Sequence, residues 1–111
     1  MEIQEQRQGV VLVLKPIGPL TQADADQFRA RVQEAMAATL GRCVLDASAI
    51  PYLDSRGIEV LADLTETQAQ SGRVLKLCAA TVTVRQALEL TGWGDAFEYF
   101  TDPHSGMRSF A

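Results

Sequence analysis

The sequence predicts an α/β fold: a mixed, mostly parallel β-sheet with helices packed on one side of it. Three observations lead there. Short strand-like runs at residues 42–46, 73–78 and 96–100 are separated by stretches of helical length, and strands joined through helices need parallel neighbours. The stretches between them repeat apolar residues every three or four positions, as amphipathic helices do. At the start of the chain two strand-like runs are separated by Gln8-Gly9 alone, which implies one antiparallel hairpin.

Residues 2–7 hold a single large apolar side chain, Ile3, among polar ones, the pattern of an exposed edge strand. Residues 10–15, Val-Val-Leu-Val-Leu-Lys, form a β-branched run suited to a strand covered on both faces. Pro16 and Pro19 remove N–H donors and Gly18 permits a sharp turn, so residues 16–20 are expected to be a surface loop. Thr21 is the expected N-cap of a first helix. Asp24 and Asp26 put negative charge in its first turns, Phe28, Val32, Met36 and Leu40 repeat down one face, and Gly41 ends it. Residues 42–46 then form a central strand with Asp46 at its carboxyl end, where parallel sheets place functional loops. Asp46 either holds the following loop by hydrogen bonding or helps to shape the site beyond it.

That site begins at Tyr52-Leu53-Asp54-Ser55-Arg56-Gly57, where a loop hands over to a second helix spanning residues 55–70. Asp54 and Ser55 both carry short side-chain oxygens that can accept from the free N–H groups of a starting helix, and Gly57 keeps the first turn uncluttered. From the residues alone Ser55 is either an N-cap or a hydroxyl open to modification. A phosphate there, with a charge of roughly −1.5 to −2, would sit at the positive end of the helix dipole. Ile58, Leu61, Ala62, Thr65 and Ala69 are expected inside, Glu59, Asp63, Glu66 and Gln70 outside, and Ser71-Gly72 stops the helix. After the strand at 73–78, Thr81 caps a third helix with the inner stripe Val84, Ala87, Leu88 and Thr91, ending at Gly92 or Gly94. Residues 96–100 form a short aromatic strand, and Asp102-Pro103 starts a last helical turn or two through Phe110.

Composition narrows the function classes. At 111 residues, with 47% apolar and 22% charged side chains, the chain reads as one folded domain, residues 1–111. Ten basic against fourteen acidic residues, with no basic tract, argue against nucleic acid as a partner. No run of 18 apolar residues and no signal-peptide pattern is present, so a cytoplasmic protein with no membrane insertion is expected. Cys43 and Cys78 lie in apolar runs and read as buried free thiols, and with one histidine, His104, there is no metal set. Phosphate-binding glycine loops are missing, Gly92-Trp93-Gly94 follows a helix where a dinucleotide fingerprint would precede one, and Asp24 and Asp26 point to different helix faces. The expectation is therefore a non-enzymatic protein without a cofactor. Trp93 either packs the end of the third helix onto the sheet or stands exposed as an anchor for a partner.

The run Cys43-Val44-Leu45-Asp46, its connector ending Ile50-Pro51-Tyr52-Leu53, and Asp54-Ser55-Arg56-Gly57-Ile58 resemble the signature of STAS domains, in particular stand-alone anti-sigma factor antagonists. Gly18-Pro19-Leu20-Thr21 is similar to the family's first loop, and residues 81–93 to its third helix, so the likeness covers about nine-tenths of the chain. The resemblance implies a STAS-like domain phosphorylated at Ser55, with Asp54, Ser55, Arg56, Gly57, Asp46 and Thr21 at the partner surface. It further implies an anti-sigma factor with serine kinase activity as partner, which releases its sigma factor on binding, and a PP2C-type phosphatase that resets the switch. Arg56 stands where many phosphorylated members carry Ser or Thr, and Thr21 where many carry an acidic residue. The alternative is a non-phosphorylated STAS subunit of a larger assembly, such as a lipid-transport ABC complex or a stress-signalling scaffold. The oligomeric state is left open.

Overall fold

Alternation along the strands sorts the core into two faces, and the helices distribute between them accordingly. The computed structural model describes residues 1–110. Its elements are β1 (Glu2–Gln8), β2 (Val11–Ile17), α1 (Gln22–Thr39), β3 (Cys43–Asp46), α2 (Ser55–Ala69), β4 (Leu75–Cys78), α3 (Val82–Leu90), a short 3-10 turn (Gly94–Ala96), β5 (Phe97–Phe100) and α4 (Pro103–Arg108). The five strands lie in the order β1-β2-β3-β4-β5. β1 and β2 are the antiparallel hairpin, with Ile3 opposite Pro16, and the remaining neighbours run parallel.

Leu12, Leu14, Cys43, Leu45, Leu75, Leu77 and Phe97 face the larger core, which α1, α2 and α3 complete with Phe28, Val32, Leu61, Leu64, Val84 and Leu88. Their neighbours in sequence, Val13, Val44 and Cys78, face the other way, where Phe100, Met107 and Phe110 cover them. The three crossover helices thus share one side of the sheet, and the short α4 occupies the opposite side. Seating α4 there requires Gly106: a Cβ at this position would meet Cys78 Sγ at 2.5 Å and Val44 Cγ1 at 3.5 Å. Gly106→Ala is expected to cost about 1–3 kcal/mol by overpacking. Urea unfolding checks this, and adding Cys78→Ala, which removes the clashing sulfur, should recover most of the loss.

The structure departs from the sequence pattern in two placements, α4 lying on the side of the sheet opposite the other helices and Thr91, expected inside on α3, being exposed at its C-terminal end, and in three elements, each for a local reason. β2 continues through Pro16 to Ile17. The missing N–H is tolerated because β3 pairs only with Leu12, Val13 and Leu14, so Pro16 has no ladder partner on that side. Leu40 is not a core residue: it ends α1 in the left-handed conformation at φ 56° and is 75% exposed, while Ala35 and Thr39 are buried in the helix's last turns. On α2 the buried arc is wider than expected and includes Val60, Leu64 and Gln68, whereas Ala69 is exposed. This helix packs on α1 as well as on the sheet, and Gln68 donates to the Gly41 carbonyl at 3.2 Å to satisfy its buried amide.

The two thiols sit on opposite faces of the sheet and are free. Burial pushes Cys43 up to about 11 and Cys78 to about 12, so both are protonated at neutral pH. Among the described residues no helix is long and apolar enough to cross a membrane.

Candidate functional site

The site is assembled where two loops are stitched together at the start of α2. Leu20 and Leu53 form an isolated parallel bridge; Leu20 N–H donates to the Tyr52 carbonyl at 3.1 Å and Asp54 N–H to the Leu20 carbonyl at 3.2 Å. This places the start of α1 beside the start of α2. Both helices then share one capping group: the Asp54 carboxylate accepts from Gly57 N–H at 2.9 Å through Oδ1 and from Gln22 N–H at 3.0 Å through Oδ2. Thr21 holds the N-cap position of α1, but its side chain makes no capping bond. The expected cap is replaced by Asp54, which lies 32 positions beyond Gln22 in the chain.

Those two bonds hold the Asp54 carboxyl below its ordinary range, the Gly57 bond contributing most and the Gln22 bond next. A carboxylate depressed in the folded state adds stability that is fully present above the unfolded value of about 3.9 and is lost as pH falls through the folded value. Urea midpoints measured from pH 7 down to pH 3 should therefore fall at the acid end. Asp54→Asn should lower the midpoint at pH 7 and flatten the acid-side fall, with the remainder left to Asp26 and Asp102, which are also depressed.

Because Asp54 does the capping, Ser55 is left free. It is the first residue of α2, it is exposed, and its hydroxyl has no hydrogen-bond partner among the described residues. Arg56 is not a free solvated side chain. Its guanidinium donates to Asp26 on α1 and to Glu59 on α2, each at 2.8 Å, and Arg29 bonds Asp63 at 3.1 Å, so two arginines tie α1 to α2 beside Ser55. The Asp26 hydrogen bond lowers that carboxyl and raises the Arg56 guanidinium further. Gly57 is buried, and a Cβ on it would overlap the Leu20 carbonyl oxygen and come within 3.1 Å of the Leu20 carbonyl carbon and Leu53 Cβ.

Asp46 lies elsewhere. Its carboxylate accepts from Ser48 N–H at 3.0 Å, holding the loop after β3, and it lines a cavity with Val13, Lys15 and Pro103 on the α4 side of the sheet. The structure thus brings Thr21, Asp54, Ser55, Arg56 and Gly57 together and leaves Asp46 apart. Sequence reasoning did not connect Trp93 to this site: the indole lines a groove of about 280 Å³ with Ser55, Ile58 and Ala62. Among the described residues no three His, Cys, Asp or Glu side chains gather as a metal set. The chemistry on display is an acceptor hydroxyl beside an apolar groove.

A model of the STAS domain matches residues 2–106. No curated protein sequence matches the chain. Among solved structures, a Thermotoga maritima protein assigned as an anti-sigma factor antagonist superposes with a TM-score of 0.84 at 18% identity, covering 96% of this chain and 92% of that one. The anti-sigma factor antagonist SpoIIAA in its unphosphorylated form gives 0.75 at 18% identity, covering 98% and 96%. The phosphorylated form of the Bacillus cell fate determinant SpoIIAA gives 0.71 at 16%, covering 97% and 99%. At these identities the likeness establishes the shared fold.

Proposed function

This chain belongs to the STAS domain family, and from that premise we propose that it is an anti-sigma factor antagonist, a binding module controlled by phosphorylation of Ser55. In the unmodified state the surface around Ser55 docks on an anti-sigma factor that is also a serine kinase, and the sigma factor is let go. The kinase transfers the γ-phosphoryl group of ATP to Ser55 Oγ, with ADP leaving and the hydroxyl proton lost to a base on the kinase. The phosphoserine then keeps water at the docking surface and breaks the contact, and a PP2C-type phosphatase hydrolyses it.

One observation carries this reading: Asp54 caps α2, so the Ser55 hydroxyl is exposed and uncommitted. If Ser55 were the cap, phosphorylation would remove a bond the helix depends on. With the cap supplied by its neighbour, a phosphate enters at the positive end of a helix that keeps its start. Modification therefore changes a surface and spares the fold. A kinase and a phosphatase that meet this chain imply a cytoplasmic protein.

Phosphosite mass spectrometry on the protein from its native cells, growing and stressed, tests the proposal. Ser55 occupancy is expected to change with condition. A Ser55 unmodified under every condition would sink the switch and turn attention to a structural subunit of a larger assembly.

A further inference from the structure

The groove beside Ser55 is built where α2 meets the end of α3. α2 supplies Ile58 and Ala62 on its floor, and Trp93, whose backbone N–H donates to the Leu88 carbonyl at 2.8 Å just after α3, forms the far wall. Ile58 and Trp93 are partly buried and pack against the main core, yet among the described residues no side chain fills the space between them. The rim is acidic: Glu59 and Asp63 line it, and no lysine or arginine does. The arginines that pair these two carboxylates, Arg56 and Arg29, approach from the α1 side, where both also meet Asp26. Charge on the larger scale agrees, because α1 and α2 with the Asp54 cap (residues 22–39 and 54–69) hold seven acidic and three basic side chains and the rest of the chain seven of each. All of the formal charge of −4 lies in the part that carries α1 and α2.

We propose that this groove seats an apolar side chain of a basic amphipathic helix on the partner, with Trp93 as its main contact and Glu59 and Asp63 meeting flanking lysines or arginines. The proposal rests on the partner-binding role given to the Ser55 surface and names the chemistry of what binds there. A helix presenting apolar residues at i and i+4 beside basic ones matches an apolar seat with an acidic rim. It also determines how a phosphate would act. Against a basic partner a dianion adds attraction to the flanking lysines or arginines, so release must come from the groove itself: a phosphate on Ser55 occupies the rim with its hydration shell, and release requires that keeping the apolar anchor out of a wet seat outweighs that attraction.

Trp93 is the chain's single tryptophan, so its emission reports occupancy directly. The probe is a synthetic Leu/Lys amphipathic helix of about 18 residues, with a Leu/Glu helix of the same pattern as control. The expected result is a saturable blue shift of Trp93 emission with Leu/Lys and none with Leu/Glu. Ile58→Asp should abolish the shift while the far-UV spectrum stays that of the folded chain, and Ser55→Glu should weaken the probe about tenfold or more. No shift with Leu/Lys, an equal shift with Leu/Glu, or a shift that survives Ile58→Asp would each overturn the proposal. A Leu/Lys shift that meets the first two expectations but is equally strong in Ser55→Glu would overturn the hydration step and, with it, the Ser55 switch, while the seat itself would stand.

Discussion

Ser55→Glu is expected to weaken binding to the proposed anti-sigma partner about a hundredfold, near 2.7 kcal/mol, with little change in folding stability. Ser55→Ala should bind persistently, since it can no longer be modified. The two halves of this expectation have separate physical grounds. Ser55 is exposed and makes no hydrogen bond among the described residues, so replacing it removes no native contact of that kind. A carboxylate at the first position of α2 lies at the positive end of the helix dipole, an interaction of about 0.3–1 kcal/mol in the stabilising direction. Binding is another matter, because the same carboxylate stands at the rim of an apolar groove and would be desolvated by any partner that fills it. Calorimetry with the partner, alongside urea unfolding of each variant, separates the two. Equal affinities for Ser55→Ala and Ser55→Glu would remove the switch.

Gly57→Ala should have the largest effect on the fold, a loss of about 2–3 kcal/mol and a fall in Tm of roughly 10–20 °C. Two opposing terms decide the sign. Alanine in a helix interior is favoured over glycine by about 1 kcal/mol, and Gly57 is not among the glycines with positive φ, so conformational freedom gives no reason for its presence. Space does. The new methyl would overlap the Leu20 carbonyl oxygen, a backbone atom that cannot rotate aside, and would crowd Leu53. Relief requires α2 to move away from the Leu20 segment, which pulls on the bridge between Leu20 and Leu53 and on the Asp54 carboxylate that caps both helices. The variant should therefore lose partner binding together with stability. Thermal unfolding of Gly57→Ala beside wild type checks it, and an unchanged Tm would show that the two loops are not in tight contact.

The order of the elements was legible in the chain because it rests on local periodicity. Apolar runs of strand length, i+4 repeats in α1, the apolar stripe of α2, and capping residues at Thr81 and Asp102 predict β1 to α4 with boundaries shifted by a residue or two. Thr81 and Asp102 do cap, accepting from Val84 N–H at 3.2 Å and Ser105 N–H at 2.8 Å, because each bond spans three residues and needs only its own helix. The motif around Ser55 was legible for the same reason: Asp-Ser before an amphipathic run marks a helix start wherever it occurs.

What the tertiary structure alone decided is which of those residues work together. Sequence pattern assigned Thr21 as the cap of α1, but its hydroxyl makes no capping bond, and the free Gln22 N–H at that start goes to the Asp54 carboxylate, which the pairing of Leu20 with Leu53 brings within reach. Gly57 read as an open first turn and proved to be the point where α2 touches another backbone. Trp93 and Ser55 are far apart in the chain and share a groove only because the end of α3 lies beside α2 on the same face of the sheet. Asp46, close to Asp54 in the sequence, points to the other face by the two-residue alternation of a strand. Local spacing therefore determined the strands, the helices and the serine at the start of α2. Long-range pairing determined that the serine is free, what holds its loop, and which apolar wall it faces.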